Sequence, residues 1–203
     1  MKVRLYVEGG PKGTHANGLR NFRNGFKQHL VKLDPRLKAM EVSPCGSTVE
    51  TIRDFARAVR ENGADFVPSL LVDSDAAVTA NSPIEHLRTK LDSAHVPRDA
   101  RASIFLMVQC MESWFLTDAT ALKACFGDQL RESALPASRD IETVSKTAVL
   151  DALKAAIQAT PASNYHKVNH GARILANLNP DAVAKRSRHA SDLHAFLRKS
   201  LDE

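Results

Sequence analysis

The sequence predicts an α/β protein: a parallel four-stranded sheet flanked by helices, followed by a helical C-terminal extension. Three observations carry this. Hydrophobic periodicity alternates between strand and helix spacing through the first 116 residues. The run Ser103–Cys110 (SIFLMVQC) is apolar almost throughout, as a strand covered on both faces must be. Beyond the polar, proline-containing stretch Ser133–Arg139, only helical patterns follow. The division expected is residues 1–130 for the sheet domain and 131–203 for a helical extension packed on it.

Val3-Arg4-Leu5-Tyr6-Val7 reads as the first strand, stopped by Gly9-Gly10-Pro11. From Asn17 to Leu33, a stripe of Leu19, Phe22, Phe26, Leu30 and Leu33 predicts a helix that Pro35 ends. A short second strand is expected at Ala39–Val42. Ser47-Thr48-Val49-Glu50 is a capping box opening a helix that runs to Asn62-Gly63. Phe66–Val72 is the third strand, closed by Asp73-Ser74-Asp75. A second capping box, Ser82-Pro83-Ile84-Glu85, opens a short helix before the strand at 103–110. Glu112–Leu116 then reads as helical, as do Lys146–Gln158, His170–Leu178 and Ser191–Leu201.

With 203 residues, 43% hydrophobic and 25% charged, the chain is long enough for one sizeable core. It contains no apolar run of membrane-spanning length and no N-terminal signal-peptide pattern. Cys45, Cys110 and Cys125 are too few and too scattered for a disulfide framework or a zinc signature. A reduced, cytoplasmic protein with no membrane partner is expected. Net charge is +5, but residues 1–40 alone carry +7. That local excess fits either attraction to a polyanion or a solvated helix face, and charge leaves the two about even.

Ligands of open parallel sheets bind beyond the carboxyl ends of the strands. Acidic residues stand there: Glu8 after the first strand, Asp73 and Asp75 after the third, and Glu112 two residues past the fourth. Two carboxylates about 4 Å apart repel by roughly 4 kcal/mol at an effective dielectric of 20, so such a cluster demands a cation. Oxygen donors with little sulfur or imidazole favour Mg²⁺ or Mn²⁺. The Asp-x-Asp spacing suits this, because alternate residues of an extended chain point the same way. Each acid alone is more simply a turn, capping or helix-dipole residue; it is the joint placement that points to metal.

The segments VEGG (7–10), LVDSD (71–75), VQCMESWFL (108–116) and YHKVNHGARIL (165–175) resemble a bacterial family of unknown function called DUF4276. That family is grouped with Toprim-like proteins, which include topoisomerase–primase catalytic domains and nucleases of the overcoming-lysogenization-defect (OLD) type. The resemblance implies a Toprim-like sheet with Glu8, Asp73 and Asp75 on divalent metal and Glu112 as a further acid of the nuclease branch. It also implies an anti-phage defence role beside an ABC/AAA-type ATPase encoded nearby. One departure is that Pro11-Lys12-Gly13-Thr14-His15 stands where many relatives carry another acid, which weakens the case for a second metal and for catalysis.

The expected activity is therefore metal-dependent phosphodiester hydrolysis of DNA or RNA, with Glu8, Asp73 and Lys167 catalytic. Lys167 would offer a cation to the charge developing on a phosphodiester, and Lys146 is a second candidate. Lys12, Arg20, Arg23 and Lys27 would hold nucleic acid by its phosphates. The alternatives are a non-catalytic binding subunit of the same kind and a phosphohydrolase of haloacid-dehalogenase type, suggested by Asp73-Ser74-Asp75. The latter fits poorly: its motif belongs to a first strand, and Ala77 stands where Thr or Val is usual. His166 and His170 lack the acid between them that a zinc helix needs, and no Gly-Lys-Ser/Thr follows Gly9, Gly10 or Gly13 to make a Walker loop. Homo-oligomerisation is left open.

Overall fold

The computed structural model describes residues 2–10, 16–61 and 66–202. The loop residues Lys12 and His15 and the helix end at Asn62-Gly63 lie outside them. The strands are β1 (Lys2–Val7), β2 (Glu41–Pro44), β3 (Phe66–Asp73) and β4 (Ile104–Met107). They form one parallel sheet in the order β2-β1-β3-β4. The chain steps outward from β1 to β2, then crosses back to build β3 and β4 on the other side. The switch point therefore lies between β1 and β3, where a parallel sheet opens a crevice for ligands.

Helices α1 (Ala16–Leu33), α2 (Thr48–Glu61), α3 (Pro83–His86) and α4 (Arg88–Ser93) fill the crossovers. After β4 come α5 (Met111–Phe115), α6 (Ala119–Phe126), α7 (Lys146–Ile157), α8 (Lys167–Asn177), α9 (Pro180–Arg186) and α10 (Arg188–Lys199). No helix among the described residues is long and apolar enough to cross a membrane.

Strand alternation splits the core in two. Val3, Leu5, Val7, Leu71, Phe105 and Met107 point to one face, under Phe22, Phe26 and Leu30 of α1. The same cluster continues through Leu153, Ile174, Leu175 and Leu197, so the C-terminal helices share this core. Tyr6, Leu70, Val72, Ile104 and Leu106 point the other way, against Ile52 and Phe55 of α2 and Leu87 and Leu91 around α4. Phe22 and Phe26 are each 1% exposed; burying such a ring contributes about 1.5–3 kcal/mol. Gly25 lets α8 approach, since a Cβ there would collide with the Ala172 carbonyl.

Several boundaries differ from those the sequence suggests. β2 begins two residues late because Pro35–Ala39 winds into a 3-10 turn capped by Asp34, burying Leu37. β4 is half the apolar run at 103–110: its ladder with β3 ends at Asp73↔Met107. α8 starts three residues before His170, because His166 caps it by accepting from Asn169 N. α6 and α9 were not anticipated; Asp118 caps the first, and Asn179 with Pro180 opens the second.

Candidate functional site

Glu8 and Asp73 close the two strands that flank the switch point, and the chain ties them together. Glu8 N donates to Leu71 O at 2.9 Å, and Asp73 N donates to Glu8 Oε2 at 3.0 Å. Gly9 follows with φ +146°, and a Cβ there would overlap the Phe22 ring, so the strand exit and the close approach of α1 both call for glycine. Thr48, first residue of α2, donates its hydroxyl to the same Glu8 oxygen at 2.8 Å. Burial nevertheless pushes the Glu8 carboxyl above its usual range, against the pull of those two hydrogen bonds.

Asp73 is the most enclosed of the acids, 1% exposed. Its Oδ1 accepts Met111 N at 2.9 Å, at the start of α5. Its Oδ2 lies 3.8 Å from Lys167 Nζ. Burial first, and then the neighbouring Glu8 charge, raise its carboxyl to about 8, although Lys167 opposes the rise. Glu112, next on α5 and 2% exposed, places Oε1 3.8 Å from the same Nζ. Tyr165 donates its hydroxyl to that oxygen at 3.1 Å. Burial, then Glu112, drive the Tyr165 phenol far above its ordinary value, so it stays a donor. Lys167 opens α8 with its side chain 43% exposed; burial lowers its ammonium, but Glu112, Asp73 and Glu8 together hold it above the usual value.

Two of the four expected carboxylates thus flank one ammonium, and a third, Glu8, is tied to the backbone of Asp73 beside them. Asp75 turns away. β3 ends at Asp73, and Asp75 takes φ +62°, which breaks the alternation that would have aligned the two side chains. Its Oδ1 meets Lys146 Nζ at 2.7 Å and its Oδ2 lies 4.0 Å from Lys90 Nζ. Its charge still reaches Glu8, where it adds to the upward shift. Cys110 lies beside the cluster, fully buried, its thiol pushed up to about 12 by burial and by Glu112; it is an inert packing residue.

The donor set is carboxylate oxygen, which suits Mg²⁺ or Mn²⁺ in kind. Among the described residues, no three His, Cys, Asp or Glu side chains stand spaced to hold a metal ion. The position facing Asp73 and Glu112 is taken by Lys167 Nζ. A cation could enter this arrangement only by displacing that ammonium, whose side chain is 43% exposed.

The basic residues of α1 divide. Arg20 and Arg23 are exposed and Lys27 is half-buried. Arg23 Nε donates to Val42 O at 3.0 Å. Val42 is level with Leu5 on β1, three residues before Glu8, so this guanidinium is held about 10 Å down the strands from the carboxylates. His166 and His170 bond to each other, His170 Nδ1 accepting from His166 N at 3.0 Å. Thr48 and Tyr165 complete the site, and neither stands at a strand end. The capping box held Thr48 as a helix start only, and Tyr165 lies 53 residues from the acid it serves.

A family model described as a domain of unknown function, DUF4276, matches residues 19–198. Asp73, Asp75, Glu112 and Lys167 fall inside the matched stretch, and Glu8 precedes it. None of the curated proteins and none of the solved structures compared matches the chain.

Proposed function

The chain belongs to the DUF4276 family, and we propose that this member is a divalent-metal-dependent phosphodiesterase acting on nucleic acid, of Toprim-like kind. One observation supports the reading: three buried or half-buried carboxylates gather at the sheet's switch point, two of them 3.8 Å from a single ammonium and the third bonded to the Asp73 backbone. With all three ionised, they would exceed Lys167 by two negative charges, which one divalent cation would match. A pocket built only for stability would have no reason to hold Asp73 in this state, since an unneutralised buried acid costs several kcal/mol.

Glu8, Asp73 and Glu112 would hold the ion, and Asp75 would join only after releasing Lys146. Bound Mg²⁺ or Mn²⁺ would supply polarisation of the phosphodiester and an activated water. The chain's own residues do the rest. Thr48 and Tyr165 fix the orientations of Glu8 and Glu112. Lys167 would offer its ammonium to a non-bridging phosphate oxygen and to the charge developing there. A role as a phage-defence effector beside an ABC-type ATPase belongs to this proposal through the family resemblance and rests on no contact in the fold.

The test is cleavage. Purified protein with Mn²⁺ or Mg²⁺, alone and with a neighbouring ATPase, is offered DNA, RNA and tRNA. Metal-dependent cleavage that falls at least about 100-fold in Asp73→Asn supports the reading; no cleavage under any of these conditions overturns it. A non-catalytic nucleic-acid-binding subunit is the second reading. The central place of Lys167 and the absence of a preformed three-ligand set among the described residues favour it. Salt-sensitive binding without turnover would be its signature. A haloacid-dehalogenase mechanism finds little support, since its nucleophile would be Asp73, whose oxygens are enclosed.

A further inference from the structure

Between α2 and α4 lies a groove of about 270 Å³, lined by Val49, Ile52, Arg53, Lys90, Ser93 and Ala94. Two of its lining residues are linked to the strand-end acids. Val49 follows Thr48, whose hydroxyl holds Glu8, and Lys90 Nζ stands 4.0 Å from Asp75 Oδ2. We infer that this groove is a subsite for one unpaired nucleotide of the strand being cut, its base against Val49 and Ile52 and its phosphate on Arg53 and Lys90. The inference rests on the nucleic-acid reading above and names where the strand runs.

Size, polarity and charge each argue for it. The volume falls just below the 300–1,000 Å³ typical of drug-sized ligands, which suits a single base better than a longer segment. Val49 is 54% exposed, one of two large apolar side chains left so open among the described residues. It stands on the groove wall above Ile52, which is 1% exposed and forms the floor. Arg53 is exposed and has no ion pair or hydrogen bond among the described residues, so its guanidinium is available to a phosphate. No aromatic ring lines the groove, so the base packs on aliphatic surface and little sequence preference follows. A base paired in a duplex cannot enter, which selects single-stranded substrate.

The opposite face offers less. There α8 lies against α1, Arg23 is committed to Val42 O, and Lys32 Nζ reaches Leu178 O at 3.4 Å. The basic helix that stands out in the sequence is thus partly spent on the fold.

The experiment is fluorescence anisotropy of labelled oligothymidylate and oligouridylate, in EDTA, over a range of salt. Val49 and Arg53 are exposed, so Arg53→Gln and Val49→Asp should melt like the wild type. Arg53→Gln is expected to weaken binding about tenfold and to reduce the salt slope by about 0.7, the value for one lost contact to a single strand. Val49→Asp should weaken binding similarly. Binding that neither substitution changes, or that Arg20→Gln alone removes, overturns the subsite while leaving the nucleic-acid reading standing. No binding of either probe by the wild type overturns the subsite, and the metal-dependent cleavage assay decides the nucleic-acid reading separately.

Discussion

Helix α5 carries residues of two buried polar clusters that differ in almost every respect. Glu112 on this helix joins Glu8 and Asp73 at the sheet edge, where each carboxylate has a donor aimed at it: Thr48, Met111 N or Tyr165. Two residues on, Trp114 packs in the core against His29 and His194, with ring centroids 5.9 Å and 6.5 Å away. There Trp114 Nε1, both ring nitrogens of His29 and His194 Nε2 have no hydrogen-bond partner among the described residues. The first cluster is charged, supported and open to solvent through Lys167. The second is neutral and sealed: burial depresses His29 to about 3 and His194 to about 4. The contrast teaches that burial alone does not mark a site. Donors arranged around acids whose charge the fold leaves only partly compensated do.

The largest expected effect falls on the charged cluster. Asp73→Asn keeps the bond from Met111 N and removes the enclosed charge. Because the folded carboxyl titrates near 8 against 3.8 for the free acid, its cost to stability grows as pH rises from about 4 to 8. The variant should melt several degrees higher than the wild type at pH 7.5, an increase of roughly 2–4 kcal/mol, with little gain at pH 4. An unchanged or lower melting temperature at pH 7.5 would show that Lys167 already neutralises Asp73.

The histidine cluster should respond in the opposite direction. Its imidazoles are neutral when folded and take up protons near 6.5 once unfolded, so stability is lost as pH falls below about 6.5. Replacing His29 with Phe should remove about 2 kcal/mol of the stability difference between pH 7.5 and pH 5, read by thermal melts at both values. A variant as acid-sensitive as the wild type would place the titration elsewhere.

The smallest effects concern the supporting donors. Tyr165→Phe and Thr48→Val should each weaken Mn²⁺ binding about tenfold while moving the melting temperature little, as measured by calorimetric titration. Equal Mn²⁺ affinity in both variants would erase the distinction between a supported and an unsupported cluster.

Much of this was legible in the chain. Strand-end acids announce themselves because a parallel sheet gathers its carboxyl ends on one edge, and Glu8, Asp73 and Glu112 do meet there. The aligned Asp75 was not legible, since alternation holds only while the strand lasts and the left-handed turn follows at once. Tyr165 was hidden by sequence distance, and Thr48 by its more obvious part in a helix start. The caps of α6 and α9, Asp118 and Asn179-Pro180, were readable signals that the polar linker and short helix lengths obscured. The groove beside α2 leaves no pattern in sequence, because α4 supplies half its wall.

Titration of the wild-type protein with Mn²⁺, followed by the loss of the free-ion electron paramagnetic resonance signal, tests the central claim most directly. One ion per chain should bind, and Asp73→Asn should abolish its uptake. If the wild type leaves the free Mn²⁺ signal untouched at millimolar concentration, the carboxylates belong to Lys167 alone.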